Sequence, residues 1–97
     1  MATVDALTRT ASKMLSAAGI ELDPVFPAEV DDGFRWGVAQ LANPSGPAKL
    51  QVLVGVPANG QFTAHELVSA IRDGTADLEE LSPDEDIEIG NFRFELY

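Results

Sequence analysis

Residues 49–72 constrain the fold most, because they predict a strand and a helix in immediate succession. Leucine or valine occupies every second position from 50 to 56, and this alternation is typical of an interior strand with one apolar face. Pro57 lacks the N–H that a sheet ladder needs, and Asn59 and Gly60 tolerate positive φ. The sequence therefore predicts that the strand ends in a tight loop.

The helix after this loop carries its own start signal. Thr63 and Glu66 have the spacing of a capping box, in which each side chain accepts a hydrogen bond from the backbone N–H of the other residue. Phe62 and Leu67 flank the cap as a hydrophobic staple. The apolar residues of the helix lie at helical spacing: Ala64, Leu67, Val68, Ala70 and Ile71. The Asp-Gly pair at 73–74 is predicted to end the helix.

A first amphipathic helix is predicted over residues 4–18. Thr3 can cap its start, and Gly19 is a C-terminal stop signal. Its apolar stripe consists of residues three or four positions apart: Val4, Leu7, Ala11, Met14, Leu15 and Ala18. We expect this stripe to face the core.

The stretch after the first helix is difficult to build into a sheet. Pro24 and Pro27 bracket Phe26, so any strand here must be short and at a sheet edge. We interpret the stretch as an extended loop that packs Phe26 against the core. The Asp-Asp-Gly sequence at 31–33 predicts a turn into the next strand.

Residues 34–41 predict an alternating strand that pairs with the strand at 50–56 as an antiparallel hairpin. Phe34, Trp36 and Val38 share one face of it. An exposed aromatic pair could anchor a partner, but the register with Val38 favours burial. We predict that Trp36 is a core residue.

The C-terminal residues alternate like strands on both sides of Gly90 and Asn91. This pair is either a two-residue hairpin turn or a bulge within one long strand. Because the arm before it is short, we favour the bulged strand.

Together these elements predict an α+β fold in one domain, residues 1–97. The expected order is α-β-β-α-β, with one further strand if the C-terminal residues form a hairpin. Amphipathic helices and one-faced strands must bury their apolar sides against each other. We therefore expect both helices to cover one face of a small antiparallel sheet of three to four strands.

Composition limits the location and the chemistry. The chain has no cysteine, which removes disulfides, thiolate catalysis and zinc sites built on sulfur. Its first residues lack a signal segment, and no apolar run approaches the ~20 residues of a membrane span. Sixteen acidic and six basic residues give a net charge of -10, which opposes direct binding to nucleic acid or membranes and favours basic partners. We expect a soluble, cytoplasmic protein.

The loop between the central strand and the second helix is similar to a phosphate-binding loop in its glycine spacing. Gly55 and Gly60 match the opening of that motif. Gln61 and Phe62 stand where the motif needs a lysine and a hydroxyl residue. Without the lysine the phosphate has no counterion, so the sequence favours an ordinary strand-to-helix loop.

Alternating carboxylates near the C terminus have the ligand spacing of a calcium loop: Asp84, Asp86, Glu88 and Glu95. Ile89 occupies the position that requires glycine, and the residues after it are typical of a strand. The sequence therefore favours a charged lead-in to a strand over a calcium site.

No arrangement of residues predicts catalysis. His65 is the only histidine, and no serine or second histidine accompanies it at motif spacing. The many carboxylates nominate no acid and base pair. We predict a non-enzymatic protein with no catalytic residue, no cofactor and no metal site.

Negative charge is concentrated in residues 73–88, which hold eight of the sixteen acids and no lysine or arginine. These eight are the candidate partner-binding residues: Asp73, Asp77, Glu79, Glu80, Asp84, Glu85, Asp86 and Glu88. So charged a segment must lie mostly on the surface. It is either a solvated connection or a docking surface for a basic partner.

The functional hypothesis is a small acidic adaptor or inhibitor that docks on a basic protein surface. In its sharper form the partner is a nucleic-acid-binding protein, and the carboxylates stand where phosphates stand. The alternatives are a structural subunit of a larger assembly held by apolar contacts, and a small-ligand or metal-binding domain.

Overall fold

The computed structural model describes residues 3–41, 50–78 and 86–96, and these residues form the α+β fold that the sequence predicts. The elements in chain order are α1 (Val4–Ala17), β1 (Glu21–Leu22), β2 (Phe34–Leu41), β3 (Leu50–Pro57), α2 (Ala64–Leu78), β4 (Asp86–Ile89) and β5 (Phe92–Leu96). The strands form one antiparallel sheet of five strands, in the order β1-β2-β3-β5-β4. None of the helices in the described ranges is long and apolar enough to cross a membrane.

Both helices lie on one face of this sheet and also pack against each other. Apart from the buried Gly55, the strand residues beneath them alternate with exposed or half-buried ones, as a strand with one core face requires. The buried strand residues on this face include Ala39, Val52, Val54, Val56, Phe92 and Phe94. The apolar alternation of β3 is therefore confirmed.

β1 is the strand that the sequence did not predict. It is two residues long and pairs with β2 at the edge of the sheet through Glu21↔Gln40 and Leu22↔Ala39. Ser12 of α1 donates a hydrogen bond to the carbonyl of Leu22 (2.7 Å), which fixes the strand beneath the helix. The Asp23 N–H still donates to the carbonyl of Val38 (2.9 Å), and Pro24 after it has no N–H with which to continue the ladder, which keeps the strand short.

α1 begins and ends as predicted, but its buried stripe is narrower. Met14 is 39% exposed. It precedes the buried Leu15 by one position, a rotation of about 100° around the helix. Thr8 is fully buried because its hydroxyl donates to the carbonyl of Pro24 (2.9 Å). A satisfied hydroxyl is thus accepted in the core in place of a further apolar side chain.

α2 begins with the predicted capping box. The Thr63 N–H donates to Oε1 of Glu66, and the Glu66 N–H donates to Oγ1 of Thr63, each with a donor–acceptor distance of 3.0 Å. The predicted end at residues 73–74 is wrong, since the helix continues through Gly74 to Leu78. A Cβ at Gly74 would lie 2.8 Å from Cδ1 of Ile89, so this glycine makes room for a side chain of β4.

Thr63→Ala should lower the free energy of unfolding by about 0.5–2 kcal/mol, because it leaves a helix N–H without its cap. Urea unfolding followed by circular dichroism measures the change. Thr63→Ser should retain nearly all of the stability. Thr10→Ala is a matched control, since this exposed hydroxyl bonds only to the carbonyl of Ala6 within α1. Equal losses at Thr63 and Thr10 would contradict the role of the cap.

Two tight turns adjoin strands of the sheet, one before β2 and one between β4 and β5. Asp32 and Gly33 both have positive φ (55° and 84°), and Asp31 and Phe34 exchange two backbone hydrogen bonds around them. Gly90, with φ of 59°, forms the second turn together with Asn91.

The C-terminal residues therefore form a hairpin, and the expected bulged strand is wrong. Ile89 pairs with Phe92 across the two-residue turn. Glycine at the first position of such a turn supplies the positive φ that a type II′ hairpin needs. The short arm β4 is stabilised because its partner β5 also pairs with β3.

The loop between β1 and β2 packs Phe26 into the core, as predicted. Phe26 is 1% exposed, and its ring lies directly over Gly37 of β2. Arg35 of β2 holds the loop in place. Its guanidinium donates to the carbonyls of Phe26 and Pro27 and to the carboxylate of Asp5 at the start of α1. One side chain thus joins the loop, the sheet and the first helix.

Candidate docking surface

The sheet face opposite the helices is the part of the described structure in which aromatic, cationic and acidic side chains come together. We call it the open face. Phe34, Trp36 and Val38 of β2, Leu53 of β3 and Arg93 of β5 are half-buried here. Register places Val38 opposite Leu53 and Trp36 opposite Gly55.

The prediction that Trp36 belongs to the core is wrong. Alternation correctly groups Trp36 with Phe34 and Val38, but the helices cover the other face, which carries Ala39. The Trp36 ring instead lies across Gly55, where a Cβ would come within 3.0 Å of the ring carbons. Its Nε1 is buried and finds no hydrogen-bond acceptor among the described residues. The indole therefore lies on the open face with its N–H edge turned away from solvent.

Arg93 is the centre of an ionic network on the open face. Its guanidinium donates to Glu88 (2.7 Å) and Asp32 (3.3 Å), and its Nε lies 3.7 Å from a carboxylate oxygen of Asp86. Its Cζ lies 4.9 Å from the centroid of the Phe34 ring, within cation–π distance. The Glu88 carboxylate, followed by that of Asp32, raises the pKa of Arg93 above its ordinary value, although partial burial opposes this.

A groove of about 700 Å³ lies beside this network. Its lining combines apolar groups, four carboxylates and one guanidinium: Pro27, Glu29, Asp31, Asp32, Trp36, Leu53, Arg93 and Glu95. The residues come from the loop before β2 and from three adjacent strands of the sheet. The groove is therefore a product of the tertiary fold.

The eight predicted partner-binding residues do not form one described surface. Asp73 is exposed on α2, and Asp77 lies in the last turn of that helix. Asp86 and Glu88 lie on β4 beside Arg93. The remaining four lie outside the described residues: Glu79, Glu80, Asp84 and Glu85.

The negative charges of two of the predicted residues are neutralised by a nearby base in the folded structure, although residues 73–88 contain no lysine or arginine. Asp86 and Glu88 both contact the guanidinium of Arg93. Glu88 pairs directly opposite Arg93 across the β4–β5 hairpin. The two-residue turn would have indicated this pair, and the preference for a bulge concealed it.

The sequence did not nominate the groove carboxylates Glu29, Asp31 and Glu95 as partner-binding residues. They are exposed or half-buried, and no ion pair joins them to a base in the described part of the chain. Glu95 is more than sixty residues from the other two, so charge density along the chain gives no signal for them.

The other chemical candidates remain ordinary structural features. Asn59 accepts a hydrogen bond from the Gln61 N–H (2.9 Å), which closes the loop before α2 as a local turn. His65 is exposed on the first turn of α2. Asp86 pairs opposite Glu95 in the hairpin, while Asp84 lies outside the described residues. Across residues 3–41, 50–78 and 86–96, no group of three or more acids and histidines is placed to hold a metal ion.

The open face is thus an aromatic and aliphatic surface with carboxylates around it, and Arg93 is the single base in the groove lining. Comparison of the chain with protein-family models, curated proteins and solved structures finds no match, so the functional argument rests on this geometry.

Proposed function

We propose that the protein is a non-enzymatic binding module, an adaptor or an inhibitor, that docks an acidic surface on a basic surface of a partner protein. The observation that carries the proposal is the open face, where carboxylates from the loop before β2 and from β4 and β5 surround half-buried aromatic side chains. Apolar groups at the centre with charges at the rim are the usual composition of a protein interface.

The charge balance of this surface favours a basic partner. Arg93 already contacts Asp32, Asp86 and Glu88. Glu29 and Asp31, by contrast, are exposed and have no basic neighbour among the described ion pairs. A partner that brings lysine or arginine here gains Coulomb energy without displacing an existing pair.

The net charge of -10 extends this preference beyond the contact itself. An acidic surface accelerates encounter with a basic cleft, and salt screens the effect over about 8 Å at physiological ionic strength. A partner that normally binds nucleic acid has such a cleft. In that case the carboxylates occupy the positions of phosphates, and the protein competes with the nucleic acid.

A second candidate function is a structural subunit of a larger assembly. The half-buried Trp36, Val38 and Leu53 favour it, since they offer an apolar area that a neighbouring subunit could cover. The two functions differ in their response to salt, because apolar contacts are not screened.

Affinity capture from cell extract at about 0.05 and about 0.5 M salt tests the proposal. We expect one set of basic proteins to be retained at low salt and released at high salt. The Glu29→Gln/Asp31→Asn variant should weaken binding of the identified partner by roughly 0.4–2 kcal/mol for the two rim charges. Titration calorimetry with the purified partner measures that change.

The matched control is Asp73→Asn/Asp77→Asn, which removes the same charge from helix α2. A third variant converts Glu79, Glu80, Asp84 and Glu85 to amides and so tests the remainder of the acidic segment. Binding that ignores salt and all three variants would refute acidic docking and favour the apolar assembly.

A further inference from the structure

The open face already contains one arginine held by an aromatic ring and carboxylates. The Arg93 guanidinium lies over Phe34 and bonds to Glu88 and Asp32. The ring contacts the flat face of this guanidinium, and the two carboxylates accept hydrogen bonds from its terminal N–H groups, while its Nε is buried without a hydrogen-bond partner among the described residues. Arg93 is therefore an example, within the same molecule, of a guanidinium bound on this surface.

The adjoining groove has a similar composition, and Arg93, the one base in its lining, already contacts Asp32. The Trp36 ring lies 5.9 Å from that of Phe34, centroid to centroid. Around it, Glu29, Asp31 and Glu95 line the groove together with Leu53. Indole is the ring that attracts cations best, so Trp36 is a better cation–π partner than Phe34.

We propose that this groove binds an arginine side chain of the basic partner protein, an inference that rests on the proposed function and names its central contact. The guanidinium stacks on Trp36 and donates to the groove carboxylates, while its aliphatic stem contacts Leu53 and Pro27. The groove volume of about 700 Å³ lies within the range of ~300–1,000 Å³ for sites that enclose a ligand group.

Arginine fits the groove better than lysine for two physical reasons. Its guanidinium is planar and weakly hydrated, so it stacks on an indole at a smaller desolvation cost than an ammonium. It also has five N–H donors in a fixed plane, which can reach carboxylates on both sides of the groove at once.

The chain provides a direct probe, because Trp36 is its only tryptophan and its indole N–H gives a single resonance. The full ¹⁵N-labelled protein is titrated with acetyl-Gly-Arg-Gly-amide and with peptides in which lysine or the neutral isostere citrulline replaces the arginine. We expect saturable shifts of the indole resonance and of the β2 and β3 amides. The arginine peptide should bind roughly three- to thirtyfold more tightly than the citrulline peptide, and more tightly than the lysine peptide.

Variants place the binding in the groove. Glu29→Gln/Asp31→Asn should weaken the arginine peptide several-fold, whereas the control Asp73→Asn/Asp77→Asn should leave it unchanged. Trp36→Leu should abolish the shifts of the β2 and β3 amides, with the dispersion of its spectrum showing that it folds. The Glu29→Gln/Asp31→Asn variant tests the groove even if Trp36→Leu unfolds.

Equal affinities for the arginine and citrulline peptides, or equal effects of the two double variants, would overturn the groove assignment. Such a result leaves salt-dependent capture of a basic partner intact, and the acidic docking surface then lies elsewhere. Arginine and lysine peptides of equal affinity would overturn the preference for guanidinium. Failure of the proposed function is detected in a separate experiment, the affinity capture, if the captured proteins are retained equally at low and high salt.

Discussion

Replacing Phe26 with alanine lowers the free energy of unfolding by about 3–5 kcal/mol. The side chain is 1% exposed and is one of the largest in the core, although it comes from a loop. Its removal leaves a cavity between the loop and the sheet, where Arg35 holds the backbone in place and limits collapse. Since a domain of this size has only about 5–15 kcal/mol of stability, this loss removes a large fraction of it.

Chemical denaturation followed by circular dichroism and by Trp36 fluorescence measures this loss. Val25→Ala is the matched control, because Val25 is the preceding residue and is 69% exposed. That variant should change the free energy of unfolding by less than about 0.5 kcal/mol. Similar losses in both variants would mean that the loop contributes through its backbone, and that Phe26 does not anchor it.

The second large effect is expected from a single added methyl group, in Gly37→Ala. A Cβ at this position would lie 2.5 Å from the Cε1 and Cζ atoms of Phe26, and real Cβ atoms essentially never approach a neighbour within 3.0 Å. The ring is confined on all sides, so the loop or the strand must move. Overpacking of this kind costs about 1–3 kcal/mol, and more where relaxation is blocked.

A double-mutant cycle separates the clash from other effects of the substitution. In the Phe26→Ala background the Cβ of Gly37→Ala has room, so the second substitution should cost little. The coupling energy should be of the order of 1–3 kcal/mol. Additive losses, with no coupling, would show that Gly37 is needed for a reason other than the ring.

Local signals in the sequence predicted a large part of this fold. The capping box at Thr63 and Glu66 and the alternation of residues 34–41 and 50–56 each involve neighbours in the chain, and each occurs in the structure. Errors arose where a distant contact decided the outcome. Gly74 continues the helix because Ile89 occupies the space beside it, and the β4–β5 hairpin is stable because β3 pairs with its second strand.

Trp36 shows a different limit of pattern reasoning. Alternation along a strand separates two faces but does not say which one the helices cover. Size and apolarity suggested that the tryptophan belongs inside. In the structure, Ala39 and Val54 lie on the face that the helices cover, and the indole covers Gly55 on the other side.

Only the negative charge of the candidate site could be predicted from the sequence. Counting charges along the chain indicated an acidic surface, but the count treats Asp86 and Glu88 as free when Arg93 contacts both. It also passes over Glu29 and Glu95, which meet only because the loop before β2 and strand β5 come together around Trp36. Spatial neighbours of this kind carry no local signal.

The position of β3 in the sheet has a consequence for how the chain avoids aggregation. β3 is an eight-residue strand rich in valine, and β5, whose paired residues lie about forty positions later, covers its second edge. Until the C-terminal hairpin docks, during synthesis or after partial opening, that edge is a template for pairing with another chain. The β4–β5 hairpin covers this edge of β3, and the new edge strand, β4, carries the charged side chains of Asp86 and Glu88, which oppose pairing with a further chain.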